Sequence, residues 1–412
     1  MKNKEKYMFF YLVALCIFTF RGLNFLSFFS LIIICISSYC HNMRLQFAIS
    51  QRTRYIFFLA IIYMVSVTFI NYKFGTPNSI GNIWSELINK YFMVFFSISI
   101  MLYKLNVDRL FLLLRKISWL LVVFGVFEEL TRVNPFLTTF KSDYAYNLII
   151  EGRISSIFQH PIVYAFVLVF LLFVALYYPY KNNFKNYLLR ALIFINILFT
   201  RTRGIVVAIL FILLLRVLRN LIDFFRNTGS IKYSKKILFQ NFFHFILILV
   251  GLIYLVFSSN AFVSDYIERL LKLKSLSDQG VRIAALLNYG IYFKETSILR
   301  ILFGSGEGFQ LAFLKLYPIY NWDSTVDNMF LNFLLNYGII GMFILFYVLF
   351  RSIKYYLSIN NEKNLMVAHS FIIACSISFL TFDGLYWPII LGLYDLSLVI
   401  TLINKKAKMK QS

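Results

Sequence analysis

Long apolar runs recur from one end of the 412-residue chain to the other, and the hydrophilic stretches between them are mostly short. A transmembrane helix needs about 20 consecutive, predominantly apolar residues, and a dozen such runs would leave a soluble protein with a surface that water cannot solvate. The chain is 60% hydrophobic and 14% charged, whereas an average soluble domain is roughly 45–50% apolar and about 25% charged. The pattern predicts an all-α, polytopic transmembrane helical bundle of about twelve spans, with approximate positions 7–22, 23–39, 55–71, 91–105, 116–130, 157–177, 187–200, 204–222, 242–258, 327–350, 364–381 and 387–403.

The distribution of Lys and Arg predicts the orientation, because cytoplasmic loops of membrane proteins are enriched in basic residues. With the N-terminus inside, the inner segments hold 26 basic and 4 acidic residues, a net charge of +22. The outer segments hold 15 basic and 13 acidic residues, a net charge of +2. Both termini are therefore predicted to be cytoplasmic. Topology, rather than binding to nucleic acid, explains the formal net charge of +23.

A single membrane domain is predicted over 1–412, with no appended soluble catalytic domain. Its largest hydrophilic part is an outer loop, 259–326, between the ninth and tenth spans. Within that loop, 282–294 is predicted to be helical and the glycine-rich stretch 303–309 to be a turn. No Gly-Lys-Ser/Thr follows these glycines, so the turn is not a nucleotide-binding loop. Spans seven and eight, separated by 201–204, are either a tight hairpin or one broken helix.

Several polar side chains are predicted to lie at the outer ends of spans, close to one membrane interface. Guanidinium groups pair bidentately with phosphate oxygens, and fixed cations stabilise the charge that develops on a leaving pyrophosphate. A carboxylate beside them is suited to activating a hydroxyl group as a general base. The candidate site residues are Arg153, His160, Arg201, Arg203, Arg282, Asp327 and Asn328.

Each candidate also has a purely structural explanation. Arginines at helix ends commonly extend to lipid headgroups. His160 precedes a proline and is placed to cap a helix, and Asp327 and Asn328 are both capping residue types at the start of span ten. Gly338 and Gly341 permit close helix packing. The sequence shows no metal-ligating cluster, so neither a metal nor another cofactor is expected.

Five features of the sequence occur together in a fixed order: the stretch from Arg153 to Pro161, the turn from Thr200 to Gly204, Arg282-Ile-Ala-Ala-Leu286, the turn at 303–308, and Asp327-Asn328 followed nine residues later by Gly338-Ile-Ile-Gly341. Taken together, these motifs resemble the O-antigen ligase and polysaccharide polymerase superfamily of bacterial surface-glycan assembly. The resemblance extends over roughly 150–345. The ligase branch of that superfamily carries a histidine where this chain has Asp327, and the difference favours the polymerase branch.

The resemblance implies glycosyl transfer between two undecaprenyl-pyrophosphate-linked oligosaccharides, the repeat units of an O-antigen, capsule or exopolysaccharide. It implies an outward-facing site in the bacterial cytoplasmic membrane that needs no nucleotide sugar. The pyrophosphate-binding residues implied are Arg153, His160, Arg201 and Arg203, and the catalytic residues implied are Arg282, Asp327 and Asn328.

The partners expected on this basis are the lipid-linked oligosaccharides, membrane lipids, a flippase and a chain-length regulator, and no nucleic acid. Three alternatives stay open. One is a ligase that transfers the glycan from its lipid carrier to another acceptor. The second is a flippase or transporter of lipid-linked oligosaccharides that performs no chemistry, since transporters also carry charged residues inside their helical bundles. The third is a signalling or structural membrane protein, which leaves the set of arginines without a common role.

Overall fold

The computed structural model describes residues 48–73, 94–95, 98–99, 102, 106–135, 152–158, 160–226, 287–318, 327–358 and 362–403. Over these residues the protein is helical and contains no strand. An isolated antiparallel bridge pairs Ile49 with Ile403. The helices are α1 (Gln51–Lys73), α2 (Val107–Thr131), α3 (Pro161–Tyr177), α4 (Asn183–Phe199), α5 (Arg203–Arg226), α6 (Ile298–Phe303), α7 (Phe309–Leu316), α8 (Met329–Leu357), α9 (Lys363–Ser378) and α10 (Pro388–Leu402), with short 3-10 helices at Ser156–Phe158 and Gly384–Tyr386.

Three helices, α1, α2 and α8, are long and apolar enough to cross a membrane, and α3, α9 and α10 are shorter apolar helices. The all-helical prediction is thus confirmed for the part of the chain that the structure describes. The number of spans stays a prediction, because 7–22, 23–39, 242–258 and most of 91–105 lie outside the described residues. Residues 287–295 are helical, as predicted from the sequence of the outer loop.

Two predicted boundaries are wrong. The predicted end of span ten is 350, whereas helix α8 continues to Leu357. Helix α2 begins at Val107, well before the predicted span 116–130, so the basic residues in between belong to the helix and not to a loop. Arg115 is buried, and its Nη1 donates to the carbonyl oxygen of Tyr178 at 2.6 Å. Its guanidinium carbon lies 3.7 Å from the centroid of the Tyr180 ring. These contacts let a charged residue lie within the helix bundle.

The centre of the described bundle is formed by α3 and α9. Helix α9 packs against α3, α5, α8 and α10. The side chains of α3 are buried from Val163 to Ala175, as expected for a helix that is apolar on all sides. Outer helices carry the opposite pattern, with large apolar side chains such as Leu120, Phe343 and Tyr347 exposed. Such a surface suits contact with lipid.

Helix α8 is broken at Gly338, where φ is 64° and ψ is −165°. The glycine therefore does more than permit close helix packing. The break frees carbonyl oxygens in the preceding turn, and the glycine-rich turn between α6 and α7 satisfies them. The N–H of Ser305 donates to the Leu335 carbonyl at 2.9 Å, and the N–H of Gly306 donates to the Asn336 carbonyl at 2.8 Å. Irregular backbone at membrane depth requires such partners.

Helix α1 also contacts the break in α8. The Tyr63 hydroxyl donates to the Tyr337 carbonyl at 2.7 Å and lies 3.0 Å from the Phe303 carbonyl oxygen. Gly304 lies directly against the broken turn. Its φ is 84°, and a Cβ on it would lie 2.3 Å from the Asn336 carbonyl oxygen. The predicted turn at 303–309 is thus present. It packs against α8 at residues about thirty positions further along the chain.

Gly304→Ala should therefore destabilise the protein strongly. The substitution combines backbone strain of ~1–3 kcal/mol with an overlap against backbone atoms that cannot move aside. We expect the midpoint of thermal unfolding, measured for the full chain in detergent, to fall by at least several degrees. Gly290→Ala is the matched control, because nothing lies within 4 Å of a Cβ at Gly290. Equal unfolding midpoints for the two variants would contradict this packing.

Candidate functional site

Residues 378–387, the last residue of α9 and the connection to α10, contact two of the predicted site residues, Asn328 and His160, at one end of the bundle. Asn328 Nδ2 donates to the Leu380 carbonyl at 3.0 Å, just before α8 begins. At the start of α5, the Ser378 hydroxyl donates to the Gly204 carbonyl at 3.4 Å. The His160 ring packs against the same connection. Residues that are far apart in sequence therefore meet around one short segment.

Arg153 lies beside the turn that carries two further candidate arginines. It is half-buried, and its Nε donates to the Thr200 carbonyl at 3.1 Å. The following residue, Ile154, donates its N–H to the Phe199 carbonyl at 3.4 Å. The segment 152–154 thus runs along the end of α4. These contacts hold the Arg153 guanidinium next to the α4–α5 turn.

The α4–α5 turn, residues 200–202, separates two distinct helices. The choice between a tight hairpin and one broken helix stays a prediction. Arg201 is half-buried and has a left-handed backbone conformation, with φ at 53°. Arg203 is exposed and begins α5. Gly204 approaches Thr381 so closely that a Cβ would lie 2.5 Å from the threonine hydroxyl oxygen. The two arginines therefore lie at the same end of the bundle as the 378–387 connection.

His160 caps α3, as the structural explanation of this residue predicts. Its Nδ1 accepts the N–H of Ile162 at 3.2 Å, and its ring lies 4.6 Å from Trp387 and 5.9 Å from Phe382, centroid to centroid. Burial, together with the positive charge of Arg153, lowers the His160 pKa to about 3. The imidazole is therefore neutral at physiological pH and carries its proton on Nε2. It therefore does not supply a positive charge to this end of the bundle.

At the start of α8 the capping residue is Asn328. Its Oδ1 accepts the N–H of Leu331 at 3.0 Å. Asp327 precedes this cap and is exposed. The capping explanation therefore applies to Asn328, and the carboxylate of Asp327 stands one residue outside the helix. Arg282, the remaining predicted site residue, lies outside the described residues.

Glu128 is a part of this region that the sequence prediction missed. It is buried in the last turn of α2, and Ser155 and Ser156 donate their N–H groups to its carboxylate at 3.1 and 2.6 Å. Asn134 Nδ2 donates to the same carboxylate at 2.8 Å. Glu128 thereby fixes the segment that carries Arg153. The sequence does contain a signal for this role. Glu128 and Glu129 lie at the C-terminal end of an apolar helix, where the helix dipole disfavours negative charge, so their presence there indicates specific partners.

Arg132 is the second residue missed. It follows α2, and its guanidinium makes a bidentate pair with Glu129, at 2.6 and 2.9 Å. Its Nη1 also donates to the Gly152 carbonyl at 3.2 Å. Arg132 is therefore a further arginine at this end of the bundle, next to the segment that leads into Arg153.

A second polar cluster surrounds Glu307, in the glycine-rich turn. The Glu307 side chain is buried and accepts hydrogen bonds from the Tyr337 hydroxyl and from Asn336 Nδ2. Its N–H donates to the Thr68 hydroxyl at 2.9 Å. Asn336 Nδ2 also donates to the Tyr386 hydroxyl at 2.9 Å. The broken helix is thus linked by hydrogen bonds to the 378–387 connection.

This arrangement favours the binding of anions. Arginines from three segments meet at one end of the bundle, and guanidinium forks match the oxygens of phosphate groups. Among the described residues, no group of three or more His, Cys, Asp and Glu side chains could hold a metal ion. No protein-family model matches the chain, and no curated protein sequence matches it at a significant level.

Proposed function

We propose that the chain is a polymerase of polyprenyl-pyrophosphate-linked oligosaccharide repeat units, acting at the outer face of the bacterial cytoplasmic membrane. The observation that supports this proposal most is the meeting of Arg153, Arg201 and His160 at one end of an apolar helical bundle. An anionic substrate with a lipid tail needs both features, because its pyrophosphate must meet cations while its tail stays in lipid.

In the proposed reaction, a sugar hydroxyl on one lipid-linked unit attacks the anomeric carbon of the glycan on the other. A new carbon–oxygen bond forms, and the bond from the anomeric carbon to the pyrophosphate oxygen breaks. The electron pair of that bond leaves with the polyprenyl pyrophosphate, and the hydroxyl proton passes to the carboxylate of Asp327. Arg153, Arg201 and Arg203 stabilise the charge that develops on the leaving group, and Arg282 assists from the outer loop.

Two residues have supporting roles in this mechanism. His160 donates a hydrogen bond from its neutral imidazole to a phosphate oxygen. Asn328 holds the start of α8 by capping it and by donating to the Leu380 carbonyl, and so fixes the position of the adjacent Asp327. The transfer uses the energy of the activated glycan–pyrophosphate bond, so no nucleotide sugar is required.

Transport of lipid-linked oligosaccharide across the membrane is the second candidate function. The break of α8 at Gly338 favours it, since many transporters bind their substrates at discontinuous helices. In this chain, however, the glycine-rich turn occupies the break and satisfies the exposed carbonyl groups. The buried Glu307 in that turn contacts Thr68 and Asn336.

Deletion of the gene in its native host distinguishes the candidate functions. Loss of a polymerase leaves single repeat units on the lipid carrier in the outer leaflet. Loss of a ligase leaves long glycan chains on the lipid carrier, and loss of a flippase leaves single units in the inner leaflet. We expect the first result, measured by the size of the lipid-linked glycan and its accessibility to an enzyme added outside. Either of the other two would overturn the proposal.

A further inference from the structure

The end of the bundle opposite the candidate site holds a second group of arginines. Helix α3 begins at the candidate site and reaches this opposite end at Tyr177. Arg190 of α4 and Arg216 of α5 lie close enough there to interact electrostatically. Arg219, three residues after Arg216, is buried, and its Nη1 contacts the sulfur of Met366 in the first turn of α9 at 2.9 Å. The distribution of Lys and Arg predicts that this end is cytoplasmic.

Arg190 is held in place by the last turn of α3. Its Nε and Nη2 donate to the Ala175 carbonyl at 3.2 and 3.0 Å, and Nη2 lies 3.5 Å from the Leu176 carbonyl oxygen. The end of a helix has carbonyl groups without intrahelical partners, and its dipole favours a cation. Within the described part of the chain, no group accepts a hydrogen bond from Nη1 of Arg190. That nitrogen keeps two N–H groups for a ligand.

Arg216 is fixed by no comparable contacts. The side chain is half-buried, and among the described residues none accepts a hydrogen bond from its guanidinium or forms an ion pair with it. An unpaired charge in a partly dehydrated site destabilises a protein, and a second positive charge nearby adds to that cost. Arg190 and Arg216 together therefore favour the binding of an anion.

Neutral hydrogen-bond donors lie beside the two arginines. Tyr356 of α8 is fully buried and interacts electrostatically with Arg216, and its hydroxyl oxygen lies 3.5 Å from that of Tyr177. Only one of the two hydroxyl protons can lie between these oxygens, and no other described residue accepts the second. Asn220 lies one turn beyond Arg216 on the same face of α5. Its Nδ2 is buried and donates to no group in the described ranges.

The surroundings of Arg190 favour a lipid as the source of the anion. On α4, the exposed side chains of Phe184, Tyr187 and Leu188 lie at the level of this end, and exposed Ile195 continues toward the centre of the bundle. Tyr187 interacts electrostatically with Arg190. Tyrosines are typical of the headgroup level of a membrane, and basic pockets between helices on the cytoplasmic side bind the headgroups of anionic lipids.

We propose that Arg190 and Arg216 bind the headgroup phosphate of an anionic phospholipid at the end of the bundle opposite the candidate site. Guanidinium groups match phosphate oxygens, and Tyr356 and Asn220 supply further donors. The bound phosphate neutralises the repulsion between the two arginines and links α4 to α5 at the end where no turn joins them. This inference does not depend on the proposed polymerase activity, which is assigned to the other end.

The test measures thermal unfolding of the purified, delipidated full chain in an uncharged detergent, with and without phosphatidylglycerol. The lipid should raise the unfolding midpoint of the original protein by several degrees, because a ligand that binds only the folded state stabilises it. Phosphatidylcholine at the same concentration should raise the midpoint much less, because its headgroup carries no net charge. Titration of the lipid gives its apparent affinity.

Arg216→Gln should separate the two conditions. Without lipid, the variant should unfold at the temperature of the original protein or above it, because it loses the repulsion from Arg190 and no hydrogen bond. Its apparent affinity for phosphatidylglycerol should fall about tenfold, because a charge-assisted contact is lost. Arg52→Gln is the matched control and should keep the original affinity. Arg52 is exposed at the start of α1, which the bridge between Ile49 and Ile403 places at the same end.

A lower midpoint without lipid, combined with an unchanged affinity for lipid, would give Arg216 a structural role and overturn the site. Equal losses of affinity in Arg216→Gln and Arg52→Gln would also overturn it, because they indicate a general attraction to headgroups. Inorganic phosphate that stabilises the protein as strongly as the lipid does would reject a lipid as the ligand. If Arg216→Gln fails to fold, Arg216→Lys replaces it, and an undiminished affinity in that variant would contradict the proposal.

Discussion

Asp327→Asn should lower the rate of polymerisation by ~10²–10⁴-fold, the usual contribution of a general base. The variant keeps the size of the side chain but removes its negative charge, and with it the ability to accept the hydroxyl proton. Capping of α8 should not change, because the cap is the neighbouring Asn328 and not Asp327. Cells that carry the variant should therefore display single repeat units in place of long chains, as measured by electrophoresis of the extracted glycan.

Glu362→Gln is the control for this experiment. Glu362 is another exposed carboxylate at the start of an apolar helix, immediately before α9, and its replacement should leave chain length unchanged. Normal chain length in Asp327→Asn would reject the catalytic role of the carboxylate. Accumulation of single units in the inner leaflet would instead favour the flippase.

Arg153→Lys should abolish most of the polymer, with a loss of at least ~10-fold, while the amount of protein in the membrane is unchanged. Lysine keeps the positive charge but lacks the planar fork that pairs with phosphate oxygens. It also lacks the Nε–H group that donates to the Thr200 carbonyl, so the charge is no longer held beside the α4–α5 turn. Arg282→Lys should have a comparable effect, because the resemblance gives Arg282 a role at the reacting groups.

Arg109→Lys provides the matched substitution at the other end of α2, where no loss of polymer is expected. Full-length glycan from Arg153→Lys would support the structural explanation, in which Arg153 merely extends from a helix end to lipid headgroups. A fall in the amount of protein in the membrane would point to a folding defect, which immunoblotting of the membrane fraction detects.

The sequence predicted where the apolar helices lie much better than where they begin. Hydropathy locates both ends of α9 and the start of α8 within a few residues, because these segments are dominated by their apolar content. It places the start of α2 too late, because Arg109 and Arg115 interrupt the apolar run. Arg115 is accommodated by the Tyr178 carbonyl and the Tyr180 ring, and these partners lie more than sixty residues further along the chain. A local pattern contains no information about such partners.

The break of α8 was beyond prediction for a similar reason. The glycines of the 303–309 turn and Gly338 are each visible in the sequence, and the turn itself was predicted. Their mutual contact depends on tertiary packing, in which the N–H groups of Ser305 and Gly306 satisfy carbonyl groups of α8. Hydropathy measures how apolar a segment is, and it is insensitive to a single residue whose backbone leaves the helical region.

For the candidate site, the sequence identified arginines but not what holds them. Arg153, Arg201 and Arg203 stand out as charges near the ends of apolar runs, and the structure brings them to the same end of the bundle. Glu128 and Arg132 were missed because their roles depend on contacts with 152–156, a segment some twenty residues away. A buried carboxylate that accepts two backbone N–H groups can be recognised only when both chain segments are seen together.

The most direct test of the central claim uses the purified full chain and its proposed substrate alone. Lipid-linked single repeat units in detergent should be converted into a ladder of longer lipid-linked glycans, without any nucleotide sugar and with a metal chelator present. Glycan length on gels gives the readout, and the Asp327→Asn protein should leave the units single. Units that stay single with the original protein, under conditions in which it is folded and binds pyrophosphate, would contradict the account.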